Sequence, residues 1–415
     1  MNTTTIPTFL LAAASLFAQE PNPVPADAKL LAAACNRFGA TLHAQLQPAS
    51  NPTVSPASIA LALLLLEPGA RGTTHDELVR VLQLPAELQG KRLHDAAHAL
   101  LQASSLAPTG KPDAEAPLLR LANDLWNQQG NQLVPGYLQV LRRSLLAGQH
   151  EVDFHGDSEA ARRRINAHVA KATDDRIRDL LPKDLVDAST ELVLTNALWL
   201  KAAWLHPFMK GGTTDDPFHL ANGEAVAVPT MHTIEEFAFA ESAHWQAVVL
   251  PFTGGSLQAE FLVPKQGTEL AVAERVLLAG EHRQALQQAQ VHVQLPRFRT
   301  ASRHRLKEPL QALGLWAAFD GGKVDFRGIA PTNRLVVTDV VHQTWVQCDE
   351  NGVEAAAATA VVMKRTAAPG GLPKHFVADR PFAFVLRDVR TDLVLFAGRV
   401  ADPRGAEDAS EGQAR

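Results

Sequence analysis

The sequence predicts an α+β protein, on three observations. Residues 26–46 place Leu30, Leu31, Ala34, Phe38 and Leu42 at three- and four-residue spacing, which marks an amphipathic helix. Residues 191–201 are too continuously apolar for a half-exposed strand, so a strand covered on both faces is expected there. Residues 291–296 alternate at period two, which marks a second kind of strand.

Taken in order, Ser55 followed by Pro56 marks a helix start, since Pro fits the first helical turn, and this helix runs apolar through Leu66. Thr73, Thr74, Asp76 and Glu77 supply the oxygens and early acids of another helix N-terminus. Residues 91–101 form a helix with His94 and His98 at i, i+4. That spacing can share a metal, but no HExxH glutamate and no third ligand accompany it, so a solvated face and no metal are expected. Residues 104–117 are a Pro-, Gly- and Ser-rich surface loop. A buried strand at 118–126, a helix at 135–146, a short strand through Phe154 and a helix at 158–181 follow. Short strands occupy 218–250, including 228–231, and further strands 247–252 and 259–264. A helix is expected over 269–289, and another ends at Gly314, a good C-cap residue.

A chain of 415 residues suggests two or three domains, although large mixed folds run as one. With 46% hydrophobic and 20% charged residues an ordinary core is available. The net charge of -5 gives no pointer to nucleic acid. Cys35 and Cys348 permit one disulfide at most; two unpaired thiols are expected. Residues 8–18 are almost all apolar or small and too short to span a membrane, so 1–18 reads as a signal peptide and the protein as extracellular or periplasmic. No Lys or Arg precedes Lys29, which leaves a cytoplasmic protein with an N-terminal extension as the alternative. No membrane partner is expected. Arg297, Arg299, Arg303, Arg305 and Lys307 follow the alternating strand and could bind a polyanion weakly, against the ordinary reading of a solvated face. The polar tail 404–415 reads as disordered. No Gly-x-Ser-x-Gly elbow, HExxH or Gly-rich phosphate loop is present, so neither catalytic residues nor a cofactor is expected.

One stretch suits two structures. Asn351-Gly352 is a turn signal, and Glu354 followed by four alanines is good helix sequence. Read at period two, Val353, Ala355, Ala357, Thr359, Val361 and Met363 share a face without charge that a sheet could bury. Lys364-Arg365 and then Pro369-Gly370-Gly371 make an exposed, cleavable tip.

Residues 349–359 closely resemble the reactive-loop hinge of the serpins, a family of serine-protease inhibitors. Residues 336–342 are similar to the strand leading into that hinge, and 380–382 with 395–403 to the family's C-terminal strands. Ser55 and Ser58, the strands at 122–126 and 195–199, Trp204, Pro207-Phe208 and Ile165-Asn166 follow the pattern in family order over about 26–403. His168 departs from it, standing where the family usually has an aromatic residue, and Asp174-Asp175 form a more acidic turn than usual.

The resemblance implies the serpin fold: a large central, mostly antiparallel sheet, two smaller sheets, about nine helices and an exposed reactive-centre loop at about 350–373. It implies a hinge of Glu350, Gly352, Val353, Glu354, Ala355, Ala356, Ala357, Ala358 and Thr359, with Val353 where the family often has Thr. It implies a polar cluster of Ser55, Ser58, Asn196 and His342, with Trp204 nearby, around the strands that must part. The implied function is suicide-substrate inhibition of serine endopeptidases, through a covalent complex with the target protease and by a monomer. The scissile bond would be Thr366-Ala367, or Arg365-Thr366 one residue earlier. A non-inhibitory chaperone or ligand carrier, or an inhibitor of cysteine proteases, is the alternative.

Overall fold

A computed structural model describes residues 23–46, 51–104, 117–331, 335–354 and 372–406. The α-helices are α1 (Ala26–His43), α2 (Pro56–Leu64), α3 (Gly72–Val81), α4 (Gly90–Ser104), α5 (Pro135–Arg143), α6 (Phe154–Ala172), α7 (Leu270–Ala279) and α8 (Lys307–Ala312). The strands are β1 (Thr53–Val54), β2 (Leu118–Gln128), β3 (Gly148–Val152), β4 (Leu192–Ala203), β5 (Thr214–His219), β6 (Ala225–Glu241), β7 (Trp245–Pro251), β8 (Leu257–Pro264), β9 (Gln287–Pro296), β10 (Phe298–Arg305), β11 (Val341–Asp349), β12 (Gly352–Val353), β13 (Lys374–Val377), β14 (Phe382–Asp388) and β15 (Val394–Val400).

Two sheets result, confirming the α+β class. The six-stranded sheet has the order β10-β11-β12-β4-β2-β3. The other runs β1-β15-β14-β8-β7-β6-β9-β13, with β5 paired to β6. The two smaller sheets of the expectation are thus continuous here, because β6 is long enough to pair with β5, β9 and β7 in turn. The main core joins α1 and α2 to the inner faces of both sheets through Phe38, Ile59, Phe298, Phe382 and Phe384. On the far side of the six-stranded sheet, α6 packs Ala161 and Ile165 against Trp126 of β2 and Val152 of β3.

Several elements differ from expectation for local reasons. The helix expected over 158–181 starts at Phe154 and ends at Ala172, and Asp174 and Asp175 then take positive φ. The helix expected over 269–289 stops at Gly280, which caps α7 in the left-handed conformation, and 287–289 already belong to β9. Glu77 does not cap its own helix: its carboxylate accepts the backbone N–H groups of Trp316 and Ala317 at 2.7 Å. The His94–His98 face is not solvated. His94 bonds the buried Glu67 at 2.9 Å, and Nδ1 of His98 is buried. Residues 404–406, expected within the disordered tail, form a 3-10 turn with Pro403; 407–415 and the expected signal peptide at 1–18 lie outside the described residues. Cys35 and Cys348 are free and buried, and burial pushes the Cys35 thiol up to about 12. Among the described residues no helix is long and apolar enough to cross a membrane.

Candidate functional site

The six-stranded sheet has an unusual centre. β12 is two residues long, yet it lies between β11 and β4 and is antiparallel to both. Those two long strands therefore run parallel to each other. β12 starts after a tight turn in which the Asp349 carboxylate accepts the Asn351 N–H at 2.8 Å. Gly352 has φ +149°, and a Cβ there would overlap the Ala202 carbonyl oxygen of β4, so only glycine lets the chain come this close. Along its β11 side, β4 has no ladder partner among the described residues other than β12.

The turn is pinned from several directions. Trp204 donates from Nε1 to the Asp349 carbonyl and from its backbone N–H to the Asn351 carbonyl, both at 2.9 Å. Its ring stacks on Phe252 with centroids 4.5 Å apart. Buried Glu350 accepts from Arg297 at 2.5 and 2.8 Å and from Thr213. Burial alone would raise the Glu350 carboxyl, but these donors hold it below the ordinary value.

Glu354, the residue after β12, is placed very differently. It has φ +51°, and its side chain is 2% exposed. One carboxylate oxygen takes Trp199 of β4 and lies 3.4 Å from Arg176, whose guanidinium sits over the Trp345 ring of β11. The other oxygen, Oε1, is buried without a hydrogen-bond partner. Burial pushes the carboxyl up to about 7, beyond what Trp199 and Arg176 offset.

A second polar group sits at the start of α2. Ser55 caps that helix, its Oγ accepting the Ser58 N–H at 3.1 Å. The Ser55 N–H in turn donates to Nε2 of His342 on β11 at 2.9 Å. Ser58 Oγ donates to Asn196 of β4, and Asn196 passes the chain on to Asn123 of β2. One helix N-terminus therefore holds both strands that flank β12: β11 through Ser55 and β4 through Ser58. An accepting Nε2 requires His342 to be neutral, with its proton on Nδ1. Full burial, reinforced by His304, agrees by pushing its pKa down to about 3. Thr344 adds a bond from β11 to the Thr53 carbonyl at 2.9 Å.

The family profile described as "Serpin (serine protease inhibitor)" matches residues 33–403 of this chain. The chain belongs to the serpin family. An uncharacterised serpin-like protein of Thermococcus kodakarensis is 37% identical over 376 residues, covering 89% of this serpin and 85% of the relative. The bovine leukocyte elastase inhibitor is 33% identical over 388 residues, covering 90% and 99%. The structure of human thyroxine-binding globulin with its ligand shares the fold, with a TM-score of 0.79 at 24% identity over 91% of this chain and all of that one.

The structure of this serpin thus brings Ser55, Ser58, Asn196 and His342 together and places Trp204 at the opposite end of the β4–β11 pair, against the turn at Asp349 to Asn351. Glu350, Gly352, Val353 and Glu354 are described; Ala355 to Thr359 and the expected reactive bonds at Arg365, Thr366 and Ala367 lie outside the described residues. Sequence reasoning missed Asn123, Thr213, Trp199 and Arg176, and read Arg297, which holds Glu350, as part of a polyanion patch. Only Asn123 left a signal, as one of several polar residues inside an otherwise apolar strand that must find a partner when buried.

Proposed function

We propose that this serpin is an irreversible suicide-substrate inhibitor of serine endopeptidases. The observation that supports this best is β12: a two-residue strand already antiparallel between the two parallel strands β4 and β11. Continuing β12 through Ala355, Ala357 and Thr359 would place small neutral side chains between β4 and β11 as the two strands part. Addition of a strand by the reactive loop is a known behaviour of serpins. The target's serine would attack the carbonyl of Thr366, or of Arg365 one residue earlier, and expel the amine that follows as the acyl ester forms. The freed arm would then enter the sheet. At about 1 kcal/mol net per hydrogen bond, a strand of about a dozen residues with its apolar burial supplies enough energy to distort a tethered protease. Deacylation needs a formed oxyanion hole, so the ester would persist.

The same fold in thyroxine-binding globulin keeps a carrier role as the second reading, and the sheet would serve a cysteine protease target equally well. A polyanion site at Arg297, Arg299, Arg303, Arg305 and Lys307 has weaker support. Arg297 is committed to Glu350, Arg305 to Asp339 and Arg303 to the Asp179 carbonyl, while Arg299 lies over Trp345 and Lys307 over Phe319.

Incubation with trypsin, elastase, chymotrypsin and subtilisin tests the proposal. The expected result is a denaturant-resistant adduct of combined mass with one of them and release of a C-terminal peptide beginning at Ala367 or Thr366. Ala355→Arg should abolish the adduct and leave clean cleavage. Persistence of the adduct in that variant would refute insertion.

A further inference from the structure

A second polar constellation lies outside β4, β11 and β12. Asp124 of β2, His150 of β3 and His168 of α6 bring one ligand atom each to within 4.8 Å of one another, the one such trio among the described residues. Nε2 of His150 lies 2.8 Å from Asp124 Oδ1, and Nε2 of His168 lies 3.0 Å from Oδ2. Both imidazoles therefore turn the same nitrogen toward one buried carboxylate.

We propose that Asp124, His150 and His168 form a binding site for a divalent transition metal, with Zn2+ the best match, that staples α6 to the edge strands of the six-stranded sheet. Two imidazoles and one carboxylate suit Zn2+, Co2+ or Cu2+, whereas Mg2+ and Ca2+ require oxygen ligands. The spacing fits. With bonds of about 2.0–2.1 Å, tetrahedral ligand atoms stand roughly 3.3 Å apart, so the two His–Asp separations of 2.8 and 3.0 Å must open by a few tenths of an ångström, while all the ligand atoms already lie within 4.8 Å of one another. Asp124 is buried, with a side chain 7% exposed, while His150 and His168 are 27% and 37% exposed. The carboxylate thus forms the floor, and solvent can reach the metal and complete its shell. Binding displaces the Nε2 protons, each of which moves to Nδ1 or is released.

The surroundings keep this space open and hold the ligands. Gly148 is the register partner of Asp124, and a Cβ there would overlap Asp124 Oδ1 and come within 3.0 Å of the His150 nitrogen. The His150 ring stacks on Trp126 with centroids 4.1 Å apart, and His168 meets the same indole edge-on at 5.2 Å. Trp126 is fixed in turn by a 3.0 Å bond from its Nε1 to Thr195. Held this way, the ligands resist rotation on the apolar side, as outer-shell partners of metal sites do.

Titration of the metal-free protein with Co2+ and Zn2+ tests the site. One equivalent of Co2+ should give visible d–d absorption that Zn2+ abolishes, and should quench the part of the tryptophan emission that Trp126→Phe removes. His168→Phe keeps an aromatic ring on Trp126 and should weaken binding at least about tenfold, since loss even of an outer-shell partner costs about 10–100-fold. Zn2+ should raise the unfolding midpoint of the wild type and not that of His168→Phe. Absence of saturable binding would overturn the site. So would wild-type affinity retained in both His168→Phe and His150→Gln, which would put the metal elsewhere. If His150→Gln fails to fold, His168→Phe alone decides.

Discussion

The two ends of the β4–β11 pair are built from different chemistry. At the α2 end every bond is between neutral groups: a capping hydroxyl, a carboxamide pair and a neutral imidazole, each polar atom matched to another. At the hinge end the groups are charged, and one is poorly served. Glu350 is well satisfied by Arg297 and Thr213, but four residues later Glu354 has a left-handed backbone and a buried oxygen with no partner. The contrast teaches where such a sheet can begin to open. A matched neutral network resists parting, because breaking it strands polar groups away from water. An underserved buried acid stores unfavourable energy that movement releases.

The largest effect is expected from Gly352→Val. It meets both a positive φ, worth about 1–3 kcal/mol of strain, and the Ala202 backbone, which no rotamer avoids. It should detach β12 and cost more than the loss of any one hydrogen bond at the α2 end, read by urea denaturation. Next, Asn196→Ala removes the link between Ser58 and Asn123 and leaves both partners buried, for roughly 1–3 kcal/mol. An equal loss in Asn196→Ala and in a surface control would break the contrast between the two ends.

The two ends should also answer pH with opposite sign. His342 has a folded pKa pushed down to about 3 by burial, below its ordinary 6.5. Its contribution is fully present above pH 6.5 and is lost as pH falls toward 3. His342→Gln should therefore flatten the acid side of the stability curve. Glu354 has a folded pKa raised to about 7 by burial, above its ordinary 4.5. Its penalty is full above pH 7 and vanishes as pH falls to 4.5. Glu354→Gln should stabilise the protein at about pH 8 and leave it unchanged near pH 4.5, read as the difference in melting temperature from the wild type. A difference of the same size at both pH values would contradict a titrating Glu354.

Much of this was legible in the chain. Ser55-Pro56 announced the helix start that became the clamp, and the apolar run at 191–201 announced the strand with Asn196 inside it. Asn351-Gly352 announced the hinge turn, although its reason is the approach of β4, more than a hundred residues away in sequence. What local pattern could not supply were partners. Glu350 finds Arg297, and Glu354 finds Trp199 and Arg176, through the sheet alone. Helix ends at 172 and 279 were overrun because left-handed residues at Asp174, Asp175 and Gly280 stop a helix whose apolar spacing continues. His168 stood out as a departure, but its meaning required Asp124 and His150 beside it.

The central claim is the proposal that the chain after β12 can enter as a further strand between β4 and β11. A single nick in the loop beyond Glu354, made with a protease in trace amount, followed by thermal melting and amide exchange of the intact two-chain product, tests it directly. The account predicts a melting temperature raised by tens of degrees and new protection along the facing edges of β4 and β11. A nicked protein that melts at or below the uncut temperature, with those edges exchanging as before, would contradict it.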